Sequence, residues 1–293
     1  MKSIFTDNFP FVTSDPELQV LKDQYPDYDS YYIASGSIQE RKERFDALYQ
    51  KYHPYADRHF LTEIKKKFHQ RTWEMYLGCA LLDRGIVFTS KDIGPDILIE
   101  HEGKKIWIEC IACEKGDGID RVPDLHYGVV QDVPSDEMLI RIAGALKSKF
   151  EKYKKYLEDG TVRDTDQFVI AVSRGDLGHV DAAIPLILRV VFAMGHQTIT
   201  MPRNGSPSRS GWSTVPFVEK RNGSKVPMTF FLEKEYEGIS GVIYCKDTVL
   251  NHPDVLGEDI VVVYNKLAQN PLSEGVLDSF KKYKCEENGD LHL

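Results

Sequence analysis

The chain lacks most of the features that would place it in a special class at once. Its five cysteines in 293 residues (Cys79, Cys110, Cys113, Cys245 and Cys285) do not make a disulfide framework, and a reducing, cytoplasmic setting is expected. No apolar run approaches the roughly 18 residues that a membrane-crossing helix needs, so no membrane partner is expected. No N-terminal stretch has the charged, apolar and small-residue order of a signal peptide. Positive charge is not in excess either. The formal net charge is −8, which argues against a protein that coats nucleic acid non-specifically but allows a local basic site on an acidic body. Internal repeats are absent, and no linker convincingly splits the chain.

What is present reads as an ordinary globular protein, with 42% hydrophobic and 28% charged residues and enough length to bury a substantial core. Residues 1–35 mix aromatic, Pro and Asp residues without a period and are expected to form a loose arm. Charges alternate with Phe45, Leu48 and Tyr49 over 37–52, as in a surface helix. Residues 1–55 are therefore expected to pack as arm and helix on a body spanning 56–293. A second helix is expected over 61–85, stopped by Gly85. A long one follows Pro134, with Ser135 as N-cap, Asp136 and Glu137 at its positive end, and Leu139, Ile142, Leu146, Phe150, Tyr153 and Leu157 as its buried seam. Strands are expected at 167–173, 228–233, 239–245 and 259–265, an apolar helix at 182–195, and a Gly/Ser/Pro/Arg-rich loop at 201–226. Helices between strands imply one α/β domain with a mixed sheet covered on both faces.

The stretch GPDILIEHEGKKIWIECIACEKG, residues 94–116, carries the main chemical signal. Taking Glu102-Gly103 as a two-residue turn pairs His101 with Lys104, Glu100 with Lys105, Ile99 with Ile106, Leu98 with Trp107 and Ile97 with Ile108. Continued one step, the register sets Asp96 opposite Glu109, with Cβ atoms roughly 5 Å apart. Like charges there repel. A shared proton, a nearby cationic side chain or a bound metal would relieve the conflict, and oxygen donors at this separation suit Mg²⁺ or Mn²⁺. The alternative is structural: Asp96 starts a strand after a Gly-Pro turn, and Glu109 reaches out to an edge.

These residues, preceded by FHQRTWEMYLGCALLDRGIVF (68–88), resemble the PD-(D/E)xK nuclease superfamily. The resemblance covers roughly residues 60–175. It implies a restriction-endonuclease-like, three-layer α/β/α fold with a central mixed β-sheet. It also implies metal-dependent hydrolysis of nucleic-acid phosphodiesters, with Asp96 and Glu109 holding Mg²⁺ or Mn²⁺. Glu74 matches the glutamate often found on the preceding helix of that family. The family's lysine two residues after the second acid is missing, because Ile111 stands there. Either another element supplies the ammonium, or the fold is kept for binding nucleic acid or protein without cleavage. The helix after the second strand is the natural donor. Lys149 is favoured, with Lys147 on the other side of the seam and Lys115 in the loop as alternatives.

Further features bear on binding. Segment 141–155 carries Arg141, Lys147, Lys149, Lys152, Lys154 and Lys155 against Glu151, a pattern that suits phosphate contact or simply a solvated helix face. Loop 201–226 offers Arg203, Arg209, Lys220, Arg221 and Lys225 with Trp212 for base stacking. Nucleic acid, DNA or RNA, is the partner these features suggest, and a homodimer is compatible with them. Cys110-x-x-Cys113 has no second Cys/His pair and reads as buried thiols rather than a zinc site.

Overall fold

A computed structural model describes residues 3–90, 93–126, 128–179, 184–201, 208–248, 250–285 and 291–292. The chain opens with three helices, α1 (Asp15–Gln24), α2 (Ser30–Ser37) and α3 (Gln39–Tyr52). The first 35 residues are thus not a loose arm. Their aromatic side chains have no period of their own because they are buried against other elements. The rings of Phe5, Tyr32, Phe45 and Phe68 form one cluster, with centroids 5.0 to 6.4 Å apart.

The helix expected over 61–85 is two, α4 (Phe60–Glu63) and α5 (Phe68–Asp83). The break has a local cause. Asp29 enters from the N-terminal segment, its backbone N–H donating to Lys65 O at 2.6 Å and its carboxylate accepting from Phe68 N at 3.3 Å. That carboxylate satisfies one of the orphan donors at the start of α5. The other end stops as the sequence implies. Gly85 takes φ +71°, and Ile86 N and Gly85 N donate to Leu81 O and Leu82 O, an arrangement that closes off helix carbonyls.

Strands β1 (Ile97–His101) and β2 (Lys104–Ala112) form the hairpin, and α6 (Ser135–Glu158) leads to β3 (Gln167–Ser173). Helix α7 (Leu186–Phe192) follows, shorter than the expected 182–195, of which 182 and 183 lie outside the described residues. Ala193, at φ +55°, turns the chain out of α7 into β4 (Met194–Thr200). The expected loop at 201–226 contains β5 (Arg209–Thr214), β6 (Phe217–Glu219) and the start of β7 (Lys225–Pro227), which make two small antiparallel sheets, β4 with β5 and β6 with β7. The strand expected at 228–233 is instead a 3₁₀ turn over Phe230–Leu232. Adjacent Phe230 and Phe231 are both buried, which the alternation of a strand does not allow on one face. Strands β8 (Gly241–Cys245), β9 (Ile260–Tyr264), β10 (Lys281–Cys285) and β11 (Leu291–His292) complete the chain.

The central sheet runs β1-β2-β3-β8-β9-β10, with the short β11 on β10. It is mixed: β2, β3 and β8 run parallel, as do β9 and β10, while β1/β2 and β8/β9 are antiparallel. Alternation along each strand divides two cores. Ile106, Ile108 and Cys110 of β2 face the aromatic cluster around α5, whereas Trp107 faces α6 and α7. Val169 and Ala171 of β3 follow the first set; Phe168, Ile170 and Val172 follow the second. Helix α6 starts at Ser135 itself, with Pro134 in the cap position and no side-chain cap, so Ser135 is not the N-cap expected. Among the described residues no helix is long and apolar enough to cross a membrane.

The hairpin turn has the shape anticipated, with Glu102 at φ +49° and Gly103 at φ +77°. A non-glycine residue in the left-handed region costs roughly 1–2 kcal/mol, less for Asn. Glu102→Asn is therefore expected to stabilise the protein by about 0.5–1 kcal/mol. A urea midpoint that rises with an unchanged slope is the expected reading; an unchanged or lower midpoint would contradict this account of the turn.

Candidate active site

The hairpin register holds through Ile97↔Ile108 and then stops. Asp96 lies just before β1. Its side chain is not on Glu109's face, as the sequence suggested, but at the open edge of β2, where its Oδ2 accepts from Cys110 N at 2.7 Å. It thereby takes the place of the next ladder hydrogen bond. Gln70 of α5 caps the same edge further along. Ala112 N donates to Gln70 Oε1 at 2.9 Å, and Gln70 Nε2 donates to Cys110 O at 3.2 Å. The amide group is also 2.8 Å from Glu74 Oε1. Glu74, 5% exposed in mid-helix, receives its countercharge from Arg71 at 2.7 Å. Arg71 also binds Asp57 and Glu63. Burial pushes the Glu74 carboxyl above its ordinary value, against the pull of Arg71.

Glu109 points to the other face, towards α6, and none of its surface is exposed. Lys149 Nζ lies 2.5 Å and Lys152 Nζ 2.7 Å from its Oε1. The Tyr156 hydroxyl lies 3.1 Å from its Oε2 and 3.0 Å from Gly94 O. With a single proton, that hydroxyl can donate to only one of them at a time. Residues 149, 152 and 156 are spaced i, i+3 and i+7, so one stripe of α6 delivers all three groups. Lys147, two positions before Lys149, is exposed on the far side of the helix. It does not join the site. Lys115, the loop alternative, is engaged by Asp124 and Asp176 at 3.0 and 3.3 Å. Ile111 packs partly buried under α6, on the same face as Glu109.

Two carboxylates that sequence reasoning paired through repulsion are thus relieved separately. Glu109 is met by cationic side chains. Asp96 is pushed up to about 8 by burial first, then by the charges of Glu74 and Glu109.

An open cleft of about 990 Å³ adjoins the pair, with Gln70, Ile111 and Lys149 in its wall. Lys and Arg outnumber Asp and Glu along its lining by seven to four, and Lys220 brings one basic residue of the 201–226 segment into it. Lys152 is taken up by Glu109 as well as facing solvent. Arg203 lies outside the described residues. Arg209 opens β5, its side chain outside the described set, and Trp212 is exposed on the same strand. Trp212 is not among the described residues that line the cleft.

Gln70, Arg71 and Tyr156 were missed in the sequence. The signals were there: Gln70 and Arg71 sit four and three residues before Glu74, and Tyr156 is seven after Lys149. On the α5 side, Cys245, His252 and Asp259 form a second buried cluster, spaced seven residues apart. Cys110 and Cys113 are free buried thiols. No family model, no curated protein and no solved structure matches the chain.

The raised Asp96 carboxyl has a thermodynamic consequence. It holds its proton to higher pH than in the unfolded chain, where the ordinary value is 3.8. The native state therefore binds more protons between about pH 4 and 8, and stability falls as pH rises through that window, by up to about 1.4 kcal/mol per pH unit. Asp96→Asn keeps an acceptor for Cys110 N and removes the titration. Its denaturation midpoint is expected to fall less steeply than wild type across this range; parallel curves would exclude the raised carboxyl.

Proposed function

We propose that the protein is a divalent-metal-dependent nuclease of the restriction-endonuclease-like type, in which α6 supplies the ammonium absent from the position of Ile111. One observation carries this reading: Lys149 Nζ lies 2.5 Å from Glu109 Oε1, on the strand whose edge holds Asp96. The mixed sheet between two helical layers is compatible with that fold.

The donor set suits a hard cation. Asp96 and Glu109 offer only oxygen, and Asp96 is kept protonated by burial and then by the negative charge of Glu74 and Glu109, the second of which a cation would offset. Asp96 and Glu109 would hold Mg²⁺ or Mn²⁺, which supplies charge stabilisation at the phosphate and acidifies water.

The chain's own residues account for the rest. Lys149, only 15% exposed, is placed to orient an attacking water and to offset charge that builds on the phosphate. Lys152, more open to solvent, shares Glu109 and can exchange it for a phosphate oxygen. Tyr156 holds the second carboxylate oxygen and fixes its rotamer. Gln70 and Arg71 fix the rotamer of Glu74. The cationic lining of the cleft, Arg141 and Lys67 included, gives a polyanion a path to the site.

A specific observation favours a second reading, a catalytically inactive member that binds nucleic acid or protein through this face. Glu109 is fully engaged by Lys149, Lys152 and Tyr156, so its charge is balanced without a metal.

Cleavage of plasmid DNA and of single-stranded RNA with Mn²⁺ or Mg²⁺ separates the two. Asp96→Ala and Glu109→Gln are expected to abolish turnover. Lys149→Met should lower it by about 10²–10³-fold, with Lys152→Met milder. Circular dichroism and thermal melting establish that each variant is folded. Equal cleavage by wild type, Asp96→Ala and Glu109→Gln sinks the nuclease reading. Salt-sensitive binding without any cleavage supports the inactive one.

A further inference from the structure

The loop from β8 to β9, residues 246–258, has no secondary structure among its described residues, yet it is tied down at three points. Arg44 donates to His252 O, and Arg84 donates to Leu256 O at 2.5 Å. The third tie is chemically distinct. Cys245 ends β8, His252 lies in the loop and Asp259 immediately precedes β9, and all three are less than 10% exposed. Their donor atoms converge: His252 Nδ1 is 2.6 Å and Cys245 Sγ 3.1 Å from Asp259 Oδ2, and Sγ is 3.9 Å from Nδ1.

We infer that Cys245, His252 and Asp259 form a zinc site that staples this loop to the ends of β8 and β9. The triangle of donor atoms contains a point roughly 2.0 Å from each, close to zinc–nitrogen and zinc–oxygen lengths and a few tenths of an ångström short of zinc–sulfur. One thiol, one imidazole and one carboxylate are a borderline set that suits Zn²⁺ over Mg²⁺.

The surroundings are those of a ligand set. Tyr76 donates to Asp259 Oδ1 at 2.5 Å, which turns the other oxygen towards Cys245 and His252. The Tyr76 ring stacks on His252 at 3.5 Å and 5°, fixing the imidazole plane. Gly257 N donates to the Tyr76 hydroxyl at 2.8 Å, so the loop itself holds that tyrosine in place. Two protons now occupy the centre, one on Sγ and one on Nδ1, both directed at Oδ2. Zinc uptake releases the thiol proton and moves the ring proton to Nε2. Among the described residues that nitrogen has no hydrogen-bond partner, so no second bond opposes the change once the metal replaces the Nδ1 contact.

This centre is separate from the Asp96–Glu109 pair in ligand chemistry and, relative to Glu109, in sheet face. Its test does not depend on the nuclease reading. The full-length protein, purified without chelators or metal-affinity steps, is assayed for zinc by elemental analysis. It is then loaded with Co²⁺ and examined for thiolate-to-cobalt charge-transfer absorption. The expected result is one zinc per chain and a cobalt band lost in Cys245→Ser. The band should persist in Cys113→Ser, another buried thiol, and in Glu109→Gln. Asp259→Asn should bind at least about tenfold more weakly. In the unmutated protein, a chelator should lower the melting temperature and added Zn²⁺ restore it, which keeps the proposal open to refutation even where a variant fails to fold. Absence of both zinc and a cobalt band in the wild type overturns the assignment, and so does a band that survives in folded Cys245→Ser.

Discussion

A carboxylate without any exposed surface lies on β2, beside the sheet's open edge, and the docking of α6 is organised around it. Taking one ion out of water costs several kcal/mol, so Glu109 is tolerated on β2 only if the opposing layer brings charge to it. Helix α6 does so with Lys149 and Lys152 on one oxygen and the Tyr156 hydroxyl on the other. The same helix buries its apolar seam, Leu139, Ile142, Leu146, Phe150 and Tyr153, over the sheet face that carries Trp107, Phe168 and Ile170. Apolar burial supplies the adhesion. The ion pairs fix which turn of α6 lies over which residue of β2, because any slip would strand the charge. Ile111 follows from this: with ammonium delivered from above, the position two residues on is free to pack.

The second constraint is the open edge of β2. An unpaired strand edge presents backbone donors and acceptors that need partners. β1 supplies them as far as Ile97, after which Asp96 and Gln70 substitute side chains for the missing strand. Satisfying the backbone thus concentrates two acidic residues, Asp96 and Glu74, at one buried place, and burial, with repulsion from Glu74 and Glu109, raises the proton affinity of Asp96. What begins as hydrogen-bond completion ends with two buried carboxyls whose proton affinity is raised. Helix α5 spans both regions of interest, carrying Gln70, Arg71 and Glu74 at the strand edge and Tyr76 at the Cys245–His252–Asp259 cluster.

How much of this was legible varies with the range of the interactions. The hairpin could be read pair by pair, because a Glu-Gly turn between two apolar runs leaves a single register that matches isoleucine to isoleucine. The buried strand 167–173 and the seam of α6 were equally plain, since each repeats a pattern within a few residues. Helix α3 was anticipated over 37–52, but α1 and α2 were not, because Phe5 and Tyr32 are buried against Phe68 of α5 and the aromatic residues of this segment follow no face of their own. The split before α5 depends on Asp29, which arrives from nearly 40 residues upstream. Residues 228–233 had a strand's composition, yet Phe230 and Phe231 both found the same core.

At the site, Lys149 was nameable from the helix that had to follow β2, but Lys152 and Tyr156 were not distinguished from a solvated basic face. The amino-acid order alone settled where strands alternate, where the turn falls and which acids lie near it, because those follow from covalent geometry and neighbours a few residues apart. Tertiary structure alone settled that Asp96 turns into the sheet edge and that two lysines and a tyrosine converge on Glu109. It likewise brought a thiol, an imidazole and a carboxylate from successive stretches into one buried cluster. Those contacts join groups 14 to 47 residues apart across Asp96, Glu109 and α6. They depend on how elements dock to within an ångström, a distance on which no local periodicity bears.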